Sequence, residues 1–483
     1  MINLLDSGDR ELIADFIEAN QSRLAYNHDI FEILEGNLAP LLEERMIEDL
    51  GVDSSKAATT RKSPINVFRK VIDKLTRIYS EPVKRTVVDG TKEDEALLAW
   101  YEKILKMNTR MSVANENFNA YLYSLIHIVL NDIDEDGRGV PFMRTIPNHQ
   151  FLVMNSSLID PTSPDVIILC MGKIANKKDP KQIDRKVFWV YTDSQFVIMD
   201  GEGEIISEMM AKYQMLGSNL YEILPFTYTN QSQNLVMPSI QSDNKEMAIL
   251  IPLLLTDLNY AVKYQAFSVF YGIDVEDKGI KISPNVLLNF ESKQGAGGDS
   301  KPQFDVIKPT VDIAETLSLA SSQMSLFLVT KGLRAAAIGQ LGTDQFASGI
   351  SKMIDESDAY DAIKKQINVF VETEDDFWNV KLRQIHSYWI RNGLLRDQTQ
   401  DFSANARIVT EFTEPEPMQT RKDLIDELTS EVEAGFTTVE YATRKLYPNL
   451  TEDELKEHIA EAEADRVKRA PKPVQPQPAE VVA

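Results

Sequence analysis

The segment Asp132-Ile-Asp134-Glu-Asp136-Gly137 sets carboxylates at alternate positions ahead of a glycine, the opening half of a calcium-binding EF-hand loop. That loop needs a bidentate Glu at its twelfth position, which here is Met143, and Pro141 breaks the helix that should follow. The spacing therefore reads as an acidic turn leading into the next element. No GxxxxGK[ST] phosphate loop occurs, and neither Gly201-Glu-Gly203 nor Gly295-Ala-Gly-Gly298 completes a dinucleotide fingerprint. The five histidines (His28, His127, His149, His386, His458) are scattered, with no HExxH pair. His127 reads as a satisfied core histidine on the apolar face of a helix, and Asp355, Glu356 and Asp358 as a solvated helix face. The single cysteine, Cys170, excludes a disulfide framework and any Cys-based zinc site within one chain. The chain is expected not to be an enzyme, with no catalytic, cofactor or metal residues. An enzyme with a site assembled from distant residues is the alternative.

The elements that would position any site belong to a large acidic protein. Its 483 residues are 43% hydrophobic and 26% charged, enough for a sizeable core, and its net charge is −23. Such a surface repels phosphate on average, which excludes a protein that wraps DNA by neutralising it. Met1 to Asp6 lacks the basic start and apolar core of a signal peptide. The longest apolar run, Met247 to Leu255, holds Pro252 and is far short of the roughly twenty residues a membrane helix needs. A soluble chain in a reducing cytoplasm is expected.

Hydrophobic periodicity divides the chain. Residues 8–50 read as helix. Ser63-Pro64 looks like a helix start, with Val67, Val71, Ile72, Leu75 and Ile78 on one stripe and Glu81-Pro82 as the stop. Helices are expected over 92–107 and 110–130. Residues 140–230 carry short apolar runs of an antiparallel sheet, with Asp200-Gly-Glu-Gly203 as a hairpin turn. A helix over 243–271 and another over 311–331 flank a Gly- and Pro-rich module. A glycine-bearing loop, 332–344, precedes the longest helix, about Asp344 to Asn392, and Thr410 to Thr413 reads as a last strand. Residues 418–468 form short charged helices, and the proline-rich tail from Ala470 is expected to be disordered. The fold class is α+β, mainly α-helical.

This order resembles the portal proteins of tailed bacteriophages. The resemblance rests on Val71 to Val83, an early helix ending before Pro82, and on Leu220-Tyr-Glu-Ile-Leu-Pro225-Phe226, which is similar to the family's NPYGxIPF turn but lacks its usual Pro and Gly. It rests also on Leu254 to Tyr260 in the stem helix and on Ala347-Ser348-Gly349-Ile350-Ser351-Lys352, which is similar to the start of the long helix. Glu433-Ala-Gly435-Phe436 and Tyr447-Pro448-Asn449-Leu450 resemble the closing region. It spans residues 8 to 469.

The resemblance implies a wing (1–242), stem helix 1 (243–272), a clip (273–310), stem helix 2 (311–331), a tunnel loop (332–344), a long helix with a return strand (345–417), crown helices (418–469) and a tail (470–483). It implies a homo-oligomeric ring, usually a dodecamer, at one capsid vertex of the virion, assembled in the host cytoplasm. Double-stranded DNA would pass through its channel with weak, non-specific contacts during packaging and ejection. The terminase large subunit and later head-tail adaptor proteins would dock on the clip. Major capsid and scaffolding proteins would be further partners, with no membrane and no cofactor. From Thr316 to Thr343, 28 residues contain no Asp or Glu but hold Lys331 and Arg334. By analogy these two, with Gly339, Gln340 and Gly342, are the channel residues. Lys278, Lys281 and Lys293 of the clip would face the motor or adaptor. Leu254, Leu258, Val262, Leu317, Met324 and Phe327 would pack subunits along the stem. A non-enzymatic helical scaffold, or another capsid-vertex or adaptor protein, is the competing expectation.

Overall fold

The N-terminal helices form because apolar residues recur at helical spacing, but they form three pieces rather than the single stretch expected over 8–50. In the computed structural model α1 is Ser7–Ala19, α2 Gln21–Leu34 and α3 Leu38–Leu50. The Asp6 carboxylate caps α1 by accepting the Gly8 N–H at 2.7 Å, and Gly36, at φ +85°, lets the chain turn between α2 and α3. The structure describes residues 2–51, 53–60, 62–155, 160–174, 185–213, 223–232, 234–266, 269–273, 303–307, 313–333, 363–413, 421–447, 455–456 and 458–462.

After α4 (Ser54–Thr59), α5 spans Val67–Leu75. Its cap is Asn66, which accepts the Arg69 N–H at 2.9 Å, not the expected Ser63, whose own N–H donates to the Thr256 hydroxyl at 3.0 Å. The helix ends six residues earlier than Glu81-Pro82 suggested. β1 (Lys84–Val88) leads to α6 (Lys92–Leu105), opened by a Thr91/Asp94 capping box, and α7 (Met107–Tyr121) follows. The expected helix over 110–130 stops there, because Leu122 adopts φ +69° and β2 (Tyr123–Asn131) begins. Residues Tyr123 to Ile128 are all buried, so this strand lacks the polar alternation that would have separated it from a helix.

The sheet region is antiparallel throughout. β3 (Val140–Ile146), β4 (Phe151–Met154), β5 (Val166–Ile174), β6 (Arg185–Tyr191), β7 (Phe196–Asp200) and, after α8 (Ser207–Tyr213), β8 (Phe226–Asn230) build two sheets. One has the order β4-β5-β6-β7 and the other β3-β2-β8. At the end of β7, Asp200 Oδ1 accepts the N–H groups of Glu202 and Glu204, both at 3.0 Å. The returning chain makes a single bridge, Met199 to Ile205, in place of a full hairpin strand.

α9 (Ser242–Ala266) and α10 (Ile313–Thr330) are joined at their far ends by a two-stranded ladder of β9 (Val269–Ile273) and β10 (Gln303–Ile307). α11 covers residues 363–391 and relaxes into π-helix over Asp376–Leu382. It ends before Gly393 at φ +64°, and β11 (Arg407–Glu411) returns to pair with β1. One core lies among α1 to α5, the four-stranded sheet, the start of α9 and the end of α10. A second gathers α6, α7, α11 and one face of β2. The described residues make a mainly helical α+β protein.

The chain divides into two compact units, the first Met1–Leu341 with Asp358–Pro415 and the second Gly342–Ser357 with Glu416–Ala483. The second contains α12 (Arg421–Glu433) and α13 (Val439–Leu446), turned on Gly435 at φ +80°. Its buried apolar residues among those described are Leu428, Ala442 and Leu455.

Candidate subunit interface and channel residues

α9 changes character along its length. Its first half is held in the core by Ala248, Ile249, Ile251 and Leu253. Pro252 has no N–H to continue the helical ladder, and the buried Thr256 hydroxyl, which accepts the Ser63 N–H, donates to the Pro252 carbonyl at 2.8 Å. Beyond it Leu254 and Leu258 are half-buried, and Val262 is 44% exposed. α10 runs the opposite gradient: Leu317 is 46% exposed, Met324 half-buried, and Phe327 and Leu328 buried. Along these stripes the two antiparallel helices are thus rooted at one end and increasingly uncovered toward the β9–β10 end.

α10 bears a second stripe. Leu319, Leu326 and Val329, at spacing i, i+7 and i+10, are 50%, 69% and 66% exposed. No charged residue occurs from Thr316 to Thr330, so beyond Glu315 the helix has only serines, threonines and Gln323 to hold water. A helix apolar all round is ordinarily a buried one. Sequence reasoning named Phe327, which serves the chain's own core, and missed Leu326 and Val329. The absence of charge from Thr316 to the end of the helix was the signal that marked them.

Of the expected channel residues only Lys331 is described. Its ammonium is 3.0 Å from Gln241 Oε1 and 3.1 Å from Asp243 Oδ2 at the start of α9, and lies 5.6 Å from the Phe327 ring centroid. This clamp fastens the end of α10 to the root of α9. Arg334, Gly339, Gln340 and Gly342 lie outside the described residues, as do Lys278, Lys281 and Lys293, and Asp355 to Asp358.

The acidic turn, His127 and His386 make contacts within the chain. Arg396 Nη1 is 2.7 Å from Asp132 Oδ2, and Arg138 Nη2 is 2.7 Å from Asp136 Oδ2, so arginines neutralise the acidic turn. His127 is on β2, not on a helix. Its ring stacks on Phe226 at 4.2 Å and Nδ1 accepts from Arg144 Nε at 3.3 Å, but the buried Nε2 has no hydrogen-bond partner among the described residues, so the ring is not the fully satisfied one expected. Burial, then the charge of Arg144, pushes its pKa well below the ordinary value. His386 Nε2 lies 2.9 Å from the Gln400 carbonyl and Nδ1 2.6 Å from the Tyr101 hydroxyl, so the neutral ring is satisfied on both sides. Among the described residues no three His, Cys, Asp or Glu gather to hold a metal, and no helix is long and apolar enough to cross a membrane. No family model and no curated protein matches the sequence.

Proposed function

We propose that this chain is a portal protein, the subunit of a ring at a capsid vertex through which viral DNA is packaged and ejected. The observation that carries the reading is the antiparallel α9–α10 pair, whose α10, with Glu315 as its one charged residue, leaves Leu319, Leu326 and Val329 uncovered. A lateral copy of the same chain covers such a stripe, because apolar area removed from water stabilises association by about 25 cal/mol per Å² before ordering costs. The net charge of −23 per chain supports a channel that repels phosphate and lets a duplex slide. The ring hydrolyses nothing itself. A separate terminase motor, and afterwards head-tail adaptors, dock on the segment between α9 and α10, and capsid and scaffolding proteins surround the ring in the virion.

Light scattering on the purified chain, with an axial view by electron microscopy, tests the proposal. A particle near twelve chain masses with a central hole is expected. A species that stays monomeric in every buffer overturns it.

A further inference from the structure

Among the described residues β11 pairs with β1 on one side only, and its other edge faces α11 across a cavity of about 490 Å³. Asn379 of the π-helical segment already acts there as a substitute strand: its Oδ1 accepts the Ile408 N–H at 2.9 Å and its Nδ2 donates to the Ile408 carbonyl at 2.8 Å. In an antiparallel ladder the backbone groups of alternate residues point to the same side. Those of Thr410, two residues on, therefore point away from β1 as Ile408's do, and Thr410 lines the cavity. Each remaining bank is suited to a chain in extended form. Val371, Val380 and Val409 stand exposed, while Glu372, Asp375 and Asp376 supply negative charge. The one cation lining the cavity, Arg407, is already paired with Asp375 at 2.9 Å.

We propose that this cavity docks an extended peptide segment of a partner protein, with basic side chains between small apolar ones, laid as an added strand along the free edge of β11. Main-chain hydrogen bonds at Thr410 give such a mode its affinity and alternate side chains give it selectivity. The surplus of carboxylates sets the sign of the partner's charge. Burial raises the pKa of Asp376 above the usual carboxylate value, with Lys381 opposing, so an incoming cation would favour its ionised form. A π-helical turn beside the cavity is the kind of irregularity that recurs at functional sites. The proposal stands apart from the ring reading, because it concerns α11 and β11 and not the α9–α10 pair.

The test uses the full chain and a fluorescent probe peptide, Val-Lys-Val-Arg-Val, with a Val-Glu-Val-Glu-Val counterpart and a version of the basic probe N-methylated at alternate amides. The basic probe is expected to bind saturably and more weakly at high salt, and the other two not to bind. Asp376→Asn is expected to weaken it about tenfold. Should that variant misfold by circular dichroism, Glu372→Gln and Val380→Lys, both on exposed positions, take its place and are expected to weaken the probe as well. No saturable binding, equal binding of the N-methylated probe, or unchanged affinity in folded variants overturns the proposal. So does binding that appears only when copies of the chain are separated, since a second copy is then the occupant.

Discussion

Arg85 on β1 and Glu374 on α11 meet as a bidentate pair, Nε to Oε2 at 2.7 Å and Nη2 to Oε1 at 2.6 Å, with both side chains fully buried. Tyr79, Trp378 and Thr410 donate to the same carboxylate, and Glu102 and Asn108 accept from Arg85 Nη1, so both charges are satisfied on every side. The pair pins the β1–β11 ladder to α11. Removing Glu374 leaves the buried Arg85 only the partly exposed Glu102 as a counter-charge, so the loss lies toward the lower end of the about 3–5 kcal/mol that a broken buried pair costs. Glu374→Leu is expected to destabilise the first unit by that much in urea melts, and Arg85→Met with Glu374→Leu by clearly less. Equal losses for the single and double variants would show that packing, not charge, governs the position.

Acid should weaken the fold through its buried histidines. Burial lowers the pKa of His386, with the Gln400 carbonyl and Asp401 opposing, and that of His127 falls further. The unfolded chain then binds protons below about pH 6.5 that the folded chain refuses, so stability is full above that pH and lost as pH falls through it. The slope is at most about 1.4 kcal/mol per pH unit for each ring. Glu116 and Asp376, whose pKa values burial raises, pull the other way at lower pH. The readout is therefore a difference: the Tm of His386→Gln should depend less steeply on pH between 6.5 and 5 than that of the parent. Parallel curves would rule the histidine out as a contributor.

The turn at Gly203 is legible in the sequence, and its chemistry is simple. Gly203 sits at φ +84°, a Cβ there would lie 3.0 Å from the Arg10 carbonyl oxygen, and Arg10 Nε donates to the Gly203 carbonyl at 2.9 Å. Gly203→Ala should cost at least about 1–2 kcal/mol from backbone strain alone. A shift in urea midpoint without a change in slope is the expected result, and an unshifted midpoint would mean that the turn relaxes freely.

What the sequence disclosed depended on contrast between faces. Helices α5, α9 and α10 announced themselves through apolar stripes, and Asp200 to Gly203 through turn chemistry. β2 did not, because burial of Tyr123 to Ile128 on both sides erased its period and placed His127 on an imagined helix. The Asn66 cap was hidden behind the stronger Ser63-Pro64 signal, and the Ser63 N–H went to Thr256, a partner 193 residues away. Long-range pairs of that kind, Arg85 with Glu374 and Lys331 with Asp243 among them, leave no local trace. The docking edge of β11 is invisible for the same reason, since Asn379 and Ile408 meet only in three dimensions.

Lys331 is expected to act on stability before it acts on DNA. Its ammonium is mostly buried between Gln241 and Asp243, and hydrogen bonds to a charged group contribute about 1.5–3 kcal/mol. Because Asp243 is half exposed, the lower end is the better guide. Lys331→Met should lower the urea midpoint accordingly, and Gln241→Leu should lower it less. An unchanged midpoint in Lys331→Met would leave the ammonium free for phosphate contacts in the ring.

The uncovered stripe on α10 gives the sharpest test of assembly. Leu326 and Val329 make little contact with their own chain, so Leu326→Lys with Val329→Lys should leave the unfolding free energy of the isolated subunit within about 1 kcal/mol of the parent. The same pair of charges, set against a neighbour's apolar face, would bury unpaired ammonium groups, which cost several kcal/mol each and repeat at every contact around a ring. Light scattering should then report monomers or small oligomers where the parent gives the large particle. Leu12→Lys, at a comparably exposed leucine on α1, is the control and should leave the particle intact. If both variants assemble like the parent, α10 does not lie between subunits, and the uncharged stripe must face something other than a second copy of the chain.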